Sequence, residues 1–287
     1  MRILLIALLF LTASPLFLVA KGKKVSKIVI DAGHGGTRDP GAHGSFSYEK
    51  DITLAVSLKL GRIISDSMKT VQVIYTRTTD VYPSLTERHE IANKANADLF
   101  IAIHVNSTPF TYTKIKTGYK TVKRHHKTVK VPTYRSIQHH ETTRKGVETY
   151  VLALHRNSQK EKSIGEYSDN LTDSSSSSTT SAAGLLDVND PQTSIIIAQY
   201  SQAFLSKSVN LGTRIQEQFG AQGRPNLGVK QLPLEVLAGS AMPGVLVEMG
   251  FITNPQEEAY LNSEKGQEDV AMAIYKGIRA YKWDVEK

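Results

Sequence analysis

The chain has 287 residues, 40% of them hydrophobic, and a formal net charge of +8, which allows one substantial core and reads as one domain carrying insertions. It has no cysteine, which excludes disulfides and thiolate metal ligands and leaves His, Asp and Glu as donors, a set better suited to a catalytic zinc than to a structural one. The positive charge is local: residues 108–145 hold ten Lys or Arg and one acid, Glu141, so the rest of the chain is near neutral.

Residues 1–20 read as a secretory signal, with Arg2 before the apolar runs Ile3 to Leu11 and Leu16 to Val19 and with Ala20 at the cleavage position. The alternative is a retained anchor, but Pro15 breaks the run and it is short for a bilayer, so no stable transmembrane segment is expected after processing. Residues 21–26 form a basic tether, and 27–287 are read as a catalytic domain.

Lys27 to Asp31 is a β-branched run entering the glycine turn Gly33, Gly35, Gly36, a buried strand feeding a loop. Asp51 to Met68 has helical apolar spacing, with Asp51 as its expected cap. Val71 to Thr76 is strand-like. Ser84 stands three residues before Glu87, a capping-box pattern that opens a helix over 84–97. Leu99 to Val105 is a third strand, so this first part alternates strand and helix and predicts an α/β sheet with right-handed crossovers.

That order breaks at the basic insertion, 108–145, expected as a loop or hairpin with Thr-Val-Lys repeated at 121 and 128. Gly146 to Leu154 returns to strand character. A second polar insertion, 157–191, includes the serine run Ser174 to Ser178. Thr193 to Phe219 predicts a long helix, Gly228 to Leu237 an extended segment, Gly244 to Gly250 a buried strand, and Gln256 to Leu261 and Gly266 to Tyr281 the closing helices.

Three residues able to bind a metal fall where strands end, the place where open α/β sheets put their sites. His34 follows the first strand, Glu49 lies just before the first helix, and His104 ends the third strand. Two His and one carboxylate, with water in a fourth position, make the donor set of hydrolytic zinc centres. Glu248, set among Val245, Leu246, Val247 and Met249, is an acid that is expensive to bury without a partner, and it supplies a candidate base. Each has a plainer reading: a loop histidine, a core histidine, a solvated charge, a salt-bridged acid. Asp31 is a candidate to orient a liganding His and Asn106 to shape the pocket, and either is equally a turn former.

Several motifs in order decide between these readings. They are Ile28 to Gly44 with Glu49-Lys50-Asp51, Thr76-Arg77 with Asp80, Arg88 with Ala92-Asn93, ADLFIAIHVNS at 97–107, GVETYVL at 146–152 and VLVEMGFITNP at 245–255. Together they resemble the zinc-dependent N-acetylmuramoyl-L-alanine amidases of the cell wall and of cell division, over about Lys27 to Tyr281. The resemblance implies Zn2+ held by His34, Glu49 and His104, with Glu248 as the catalytic carboxylate. It implies a single α/β domain with a mostly parallel six-stranded sheet and helices on both faces. It further implies a peptidoglycan substrate, an activator protein as partner, and a periplasmic or secreted location. Nucleic acid is not expected as a partner of an exported chain.

In the division amidases a segment inserted before the long helix covers the metal, and the matching place is 157–191, with Glu161 or Glu166 as an extra ligand; the alternative is a solvated loop. The basic insertion departs from the compact family pattern. A wall-binding protein on the same fold without turnover, or a zinc peptidase acting on stem peptides, are the other classes left open.

Overall fold

The apolar runs read as buried strands make the middle of one sheet in the computed structural model, which describes residues 24–124, 127–153, 157–167 and 191–287. The signal expected at 1–20, the first half of the tether and the serine run lie outside the described residues. The sheet has six strands: β1 (Lys27–Ala32), β2 (Gln72–Tyr75), β3 (Leu99–Asn106), β6 (Val147–Leu152), β7 (Asn226–Leu232) and β8 (Gly244–Phe251), in the spatial order β2-β1-β3-β8-β6-β7. All neighbours are parallel except β6 and β8. β1, β3 and β8 are covered on both faces, which is why they read as unbroken apolar runs and not as alternating ones.

One face is packed by α1 (Glu49–Ser67), α4 (Pro191–Ala221) and α7 (Glu264–Glu286), around Ile30, Leu60, Ile101, Phe219, Val245 and Ile274. The other face carries α2 (Leu85–Lys94) and α5 (Glu235–Ala238), around Val29, Phe100, Leu237 and Leu246. Helices thus lie on both faces, as expected. Ile101 is fully buried, and truncating such a residue to alanine costs about 2 to 5 kcal/mol.

Local signals explain the helix starts, with one correction. Ser84 caps α2 and forms the full capping box with Glu87. Asn254 caps α6 (Pro255–Asn262), and Ser263 caps α7. Asp51, however, is not the cap of α1: that helix begins at Glu49, and Asp51 lies in its first turn. The first amides are satisfied by loop carbonyls instead, Glu49 N–H by Ala42 and Lys50 N–H by Pro40, which frees the Glu49 side chain for other work. The segment expected as extended over 228–237 divides into β7 and the short helix α5.

The basic insertion is a hairpin. β4 (Phe110–Arg124) and β5 (Lys127–His140) form a separate two-stranded sheet, and the repeated Thr-Val-Lys triplets pair with each other, Val122 opposite Val129. Because β6 runs antiparallel to β8, it carries the chain away from the end of the sheet where His34 and His104 lie. α3 (Asn157–Glu166) therefore starts at the far end, where Lys160 donates to the carbonyls of Leu237 and Met242. Met242 precedes Glu248 by six residues in nearly continuous strand, roughly 20 Å at the rise of a β-strand.

Candidate metal centre

Glu49 is the organising residue. Its carboxylate accepts backbone N–H bonds from Ala42 at 2.9 Å and Val105 at 2.9 Å, and these fix both oxygens before any imidazole is considered. His34 Nε2 lies 3.1 Å from Glu49 Oε2, and His104 Nδ1 lies 3.0 Å from Glu49 Oε1. The two rings meet edge to face with centroids 4.9 Å apart. One donor atom from each of the three residues falls within 4.8 Å of the other two. Chain segments 55 residues apart in sequence, at Glu49 and His104, are thus joined by one hydrogen bond.

The loop holding His34 is pinned from below. His34 has φ 59°, a left-handed conformation that costs a non-glycine residue about 1 to 2 kcal/mol. Arg88 donates to the carbonyls of Ala32 at 2.7 Å and His34 at 2.8 Å, and Arg77 donates to those of Ala32 and Gly33, both at 2.9 Å. Two buried guanidinium groups thereby fix three consecutive carbonyls around the turn. Gly41, at φ +71°, passes so close to the pair that a Cβ there would sit 2.8 Å from Glu49 Oε2 and 2.7 Å from the His34 ring. Asp39 Oδ1 lies 2.8 Å from His34 Nδ1, so Asp39 can accept a proton from that nitrogen while Nε2 faces Glu49.

Glu248 pairs in register with His104 on one side and with Glu148 on the other. Its Oε2 is buried and has no hydrogen-bond partner. Burial, reinforced by the charges of Glu49 and Glu148, pushes the Glu248 pKa well above the usual carboxylate range. Glu148 is the opposite case: although burial acts to raise its pKa, hydrogen bonds from Lys230 and Tyr150 hold it below the ordinary value. Lys230 Nζ lies at 2.8 Å, Arg144 Nη2 at 3.1 Å and Asn106 Nδ2 at 3.1 Å from its oxygens. Neighbouring strands therefore present one acid that stays ionised and one that is reluctant to ionise.

Among the described residues, neither Glu49 nor Glu248 has a Lys or Arg partner. Burial acts to raise the Glu49 pKa, yet hydrogen bonds and charges from His104 and His34 hold it well below the carboxylate range. Burial likewise acts to lower the His34 pKa, but Glu49 and then Asp39 outweigh it and leave it raised. The donor set, two imidazoles and one carboxylate, suits zinc, and one ligand atom from each lies within 4.8 Å of the other two. The unpartnered oxygen of Glu248, on the strand next to His104, adds an acceptor beside the trio.

Two sequence assignments change. Asp31 orients neither histidine, since it accepts from Arg88 Nη1 at 2.7 Å and Thr76 Oγ1 at 2.6 Å and so braces the arginine that holds the loop. The acid that reaches His34 is Asp39, hidden in the sequence as an ordinary loop residue before Pro40. Asn106 does border the site, through Glu148. Glu161 and Glu166 are not extra ligands; they ride on α3, which is anchored at the other end of the sheet. The remainder of that insertion, 168–190, lies outside the described residues. Glu148 was missed, although the burial argument that singles out Glu248 applies equally to an acid between Val147 and Val151.

A family model described as N-acetylmuramoyl-L-alanine amidase matches residues 28–280. The chain is 29% identical over 261 residues to a probable N-acetylmuramoyl-L-alanine amidase, AmiB, of Haemophilus influenzae, covering 88% of this chain and 51% of that protein. It spans only 31% of the sporulation-specific amidase of Bacillus subtilis, at 47% identity over 81 residues. Among solved structures, an N-acetylmuramoyl-L-alanine amidase from Clostridium difficile 630 aligns with TM-score 0.58 at 25% identity, covering 92% of this chain and all of that one. The CwlD amidase from Clostridioides difficile, solved in complex with the GerS lipoprotein, aligns with TM-score 0.56 at 25% identity, covering 89% and 98% of the two chains.

Proposed function

We propose, starting from the fact that this chain belongs to the N-acetylmuramoyl-L-alanine amidase family, that it hydrolyses the amide between N-acetylmuramic acid and L-alanine in peptidoglycan, with one zinc ion held by His34, Glu49 and His104. The observation that carries this reading is the convergence of those three side chains, each offering a donor atom within 4.8 Å of the others, next to the unpartnered Oε2 of Glu248. When bound, zinc supplies the charge that polarises the scissile carbonyl and makes a water nucleophilic near neutral pH.

The remaining steps belong to the chain's own residues. Asp39 keeps the proton on His34 Nδ1 and so holds Nε2 ready as a ligand. Glu248 takes a proton from the attacking water and returns it to the departing nitrogen, because an amide leaves poorly unless protonated. The fixed negative charge of Glu148 keeps Glu248 basic enough for that transfer. Arg77 and Arg88 hold the His34 turn against displacement as substrate enters.

Export through the segment 1–20 places the activity in the periplasm or outside the cell, and among the described residues no helix is long and apolar enough to cross a membrane. By analogy with the CwlD amidase, solved in complex with a lipoprotein, we assign the chain an activating protein partner, with 157–191 as the segment it acts upon. Deleting 157–190 is expected to raise activity in a zymogram, and no gain would remove this assignment.

The central test is product analysis on purified sacculi. Free stem peptides with intact glycan strands, abolished by a chelator and restored by zinc, are expected. Trimmed stems still attached to glycan would instead make the chain a peptidase, and binding without release would make it a wall-binding protein.

A further inference from the structure

The β4–β5 hairpin has a feature that its charge alone does not explain. Cross-strand partners share a face, and successive residues alternate between faces. The register Tyr112↔Gln138, Lys114↔Ser136, Lys116↔Tyr134 puts those residues together, and past the bulge at Lys116/Gly118 the same face continues through Tyr119↔Pro132, Thr121↔Lys130 and Lys123↔Thr128. All three tyrosines of the hairpin therefore lie on one face, interleaved with four lysines: Lys114, Lys116, Lys123 and Lys130. The opposite face has the same charge, from Lys120, Arg124, Lys127 and Arg135, but its apolar content is aliphatic: Ile115, Val122, Val129, Val131 and Ile137.

The rings are open to solvent, with Tyr112 66%, Tyr119 61% and Tyr134 56% exposed. Lys116 Nζ lies 3.9 Å over the Tyr119 ring, so cation and aromatic plane already form a joint surface. β4 has 15 residues, a ribbon of about 50 Å at strand rise, and it joins no other sheet. A lone two-stranded ribbon is marginal in water, and this one gains from being covered along its length.

Its stem is rooted at the metal centre. Thr108 N–H donates to Thr253 Oγ1 at 3.2 Å, and Thr108 Oγ1 donates to the Glu141 carbonyl at 2.7 Å. Thr253 follows β8 just beyond Glu248, and Arg144, beyond β5, reaches Glu148 at 3.1 Å. A polymer lying along the ribbon is thus led to the end of the sheet that bears the candidate ligands.

We propose that the tyrosine–lysine face of the β4–β5 hairpin binds the peptidoglycan strand next to the point of cleavage, its rings stacking on sugar faces and its lysines pairing with stem-peptide carboxylates. This rests on the amidase reading above. Charge complementarity selects an anionic polymer, and the phenol rings suit hydroxylated sugars. Against insertion into a membrane, the residues next to the tip, Lys123, Arg124, Lys127 and Thr128, are all polar.

The test compares two variants of equal charge in the full chain, each also carrying Glu248→Gln so that the wall is not digested. One replaces Lys114, Lys116, Lys123 and Lys130 by Ser; the other replaces Lys120, Arg124, Lys127 and Arg135 by Ser. Pelleting is measured with sacculi freed of phosphodiester polymers by hydrofluoric acid, and with vesicles of anionic phospholipid. The first variant should need about tenfold more sacculi for half-maximal pelleting and the second less than about threefold more, both with weaker binding at high salt. Tyr112→Ala with Tyr119→Ala and Tyr134→Ala, which keeps every charge, should match the first. Equal losses in the two lysine and arginine variants, full binding by the tyrosine variant, or tighter binding to vesicles than to sacculi would each overturn the proposal. The parent's hydrolysis of a soluble muramoyl-peptide is scored separately; its absence would defeat the amidase reading while the pelleting comparison still reports on the hairpin.

Discussion

At the C-terminal ends of β1, β3 and β8, acids converge, and among the described residues no lysine or arginine answers Glu49 and Glu248. At the opposite end of the same sheet the situation is reversed: Lys160 is buried with neutral acceptors and no carboxylate, donating to Met242 O at 2.6 Å, Leu237 O at 3.2 Å and Ser240 Oγ at 3.2 Å. Both are buried charges, and burial of a charge is unfavourable unless it is compensated. The first cluster, among the described residues, gives Glu49 and Glu248 no lysine or arginine and leaves Glu248 Oε2 without any partner. The second satisfies the three donors of its lysine with backbone and hydroxyl oxygens, so it clasps α3 to the sheet and has nothing left to offer a ligand. An uncompensated cluster on a braced frame is a place for chemistry, while a satisfied one is a fastening.

Three substitutions try that contrast at the acidic end. Glu248→Gln keeps the shape and removes the base; kcat is expected to fall by about 10²- to 10⁴-fold, while zinc content stays that of the parent. Measuring both in one preparation matters, because loss of zinc would make Glu248 a ligand and not the base. Asp39→Asn comes next: it weakens the grip on the His34 Nδ1 proton and should lower zinc affinity about 10- to 100-fold by competition with a chelating dye. An unchanged affinity would return Asp39 to an ordinary loop role. Glu148→Gln should act mainly on the pH profile. The Glu148 charge helps raise the Glu248 pKa, so its removal lowers that pKa, and the acid limb of kcat/KM should move to lower pH with kcat changed less than about tenfold. A limb that stays in place or moves up would separate the two acids.

Much of this was legible before any coordinates. The apolar runs of β1, β3 and β8 announce strands buried on both faces, the Ser84–Glu87 pair announces the start of α2, and the motif order singles out His34, Glu49 and His104, which the fold brings together. The pieces that stayed hidden depend on geometry absent from local sequence. Asp39 and Asp31 are both acids flanking a glycine turn, and only the fold shows that the first meets an imidazole and the second an arginine. Arg77 and Arg88 belong to the matched motifs, but their use, donation to backbone carbonyls around His34, leaves no pattern in residue spacing. The place of α3 follows from the antiparallel direction of β6, which a run such as GVETYVL does not encode. That single reversal moved Glu161 and Glu166 away from the metal centre. The hairpin, by contrast, was half-readable, since a Thr-Val-Lys triplet repeated across a basic tip suits two antiparallel strands.

The smallest expected effect tests the satisfied cluster. Burial lowers the Lys160 pKa to about 7, against about 10.4 in an unfolded chain. His89, close by, has its own pKa lowered by burial and brings no negative charge. Between pH 7 and about 10.4 the undocked lysine binds a proton that the docked one does not, so docking strengthens as pH rises through that window and is flat below it. From pH 7 to pH 9 the gain should be about 2 kcal/mol, seen as slower hydrogen exchange of α3 amides after correction for intrinsic rates. In Lys160→Met the dependence should vanish. Protection that falls with rising pH, or a slope that survives the substitution, would mean that α3 does not dock through a buried Lys160 side chain.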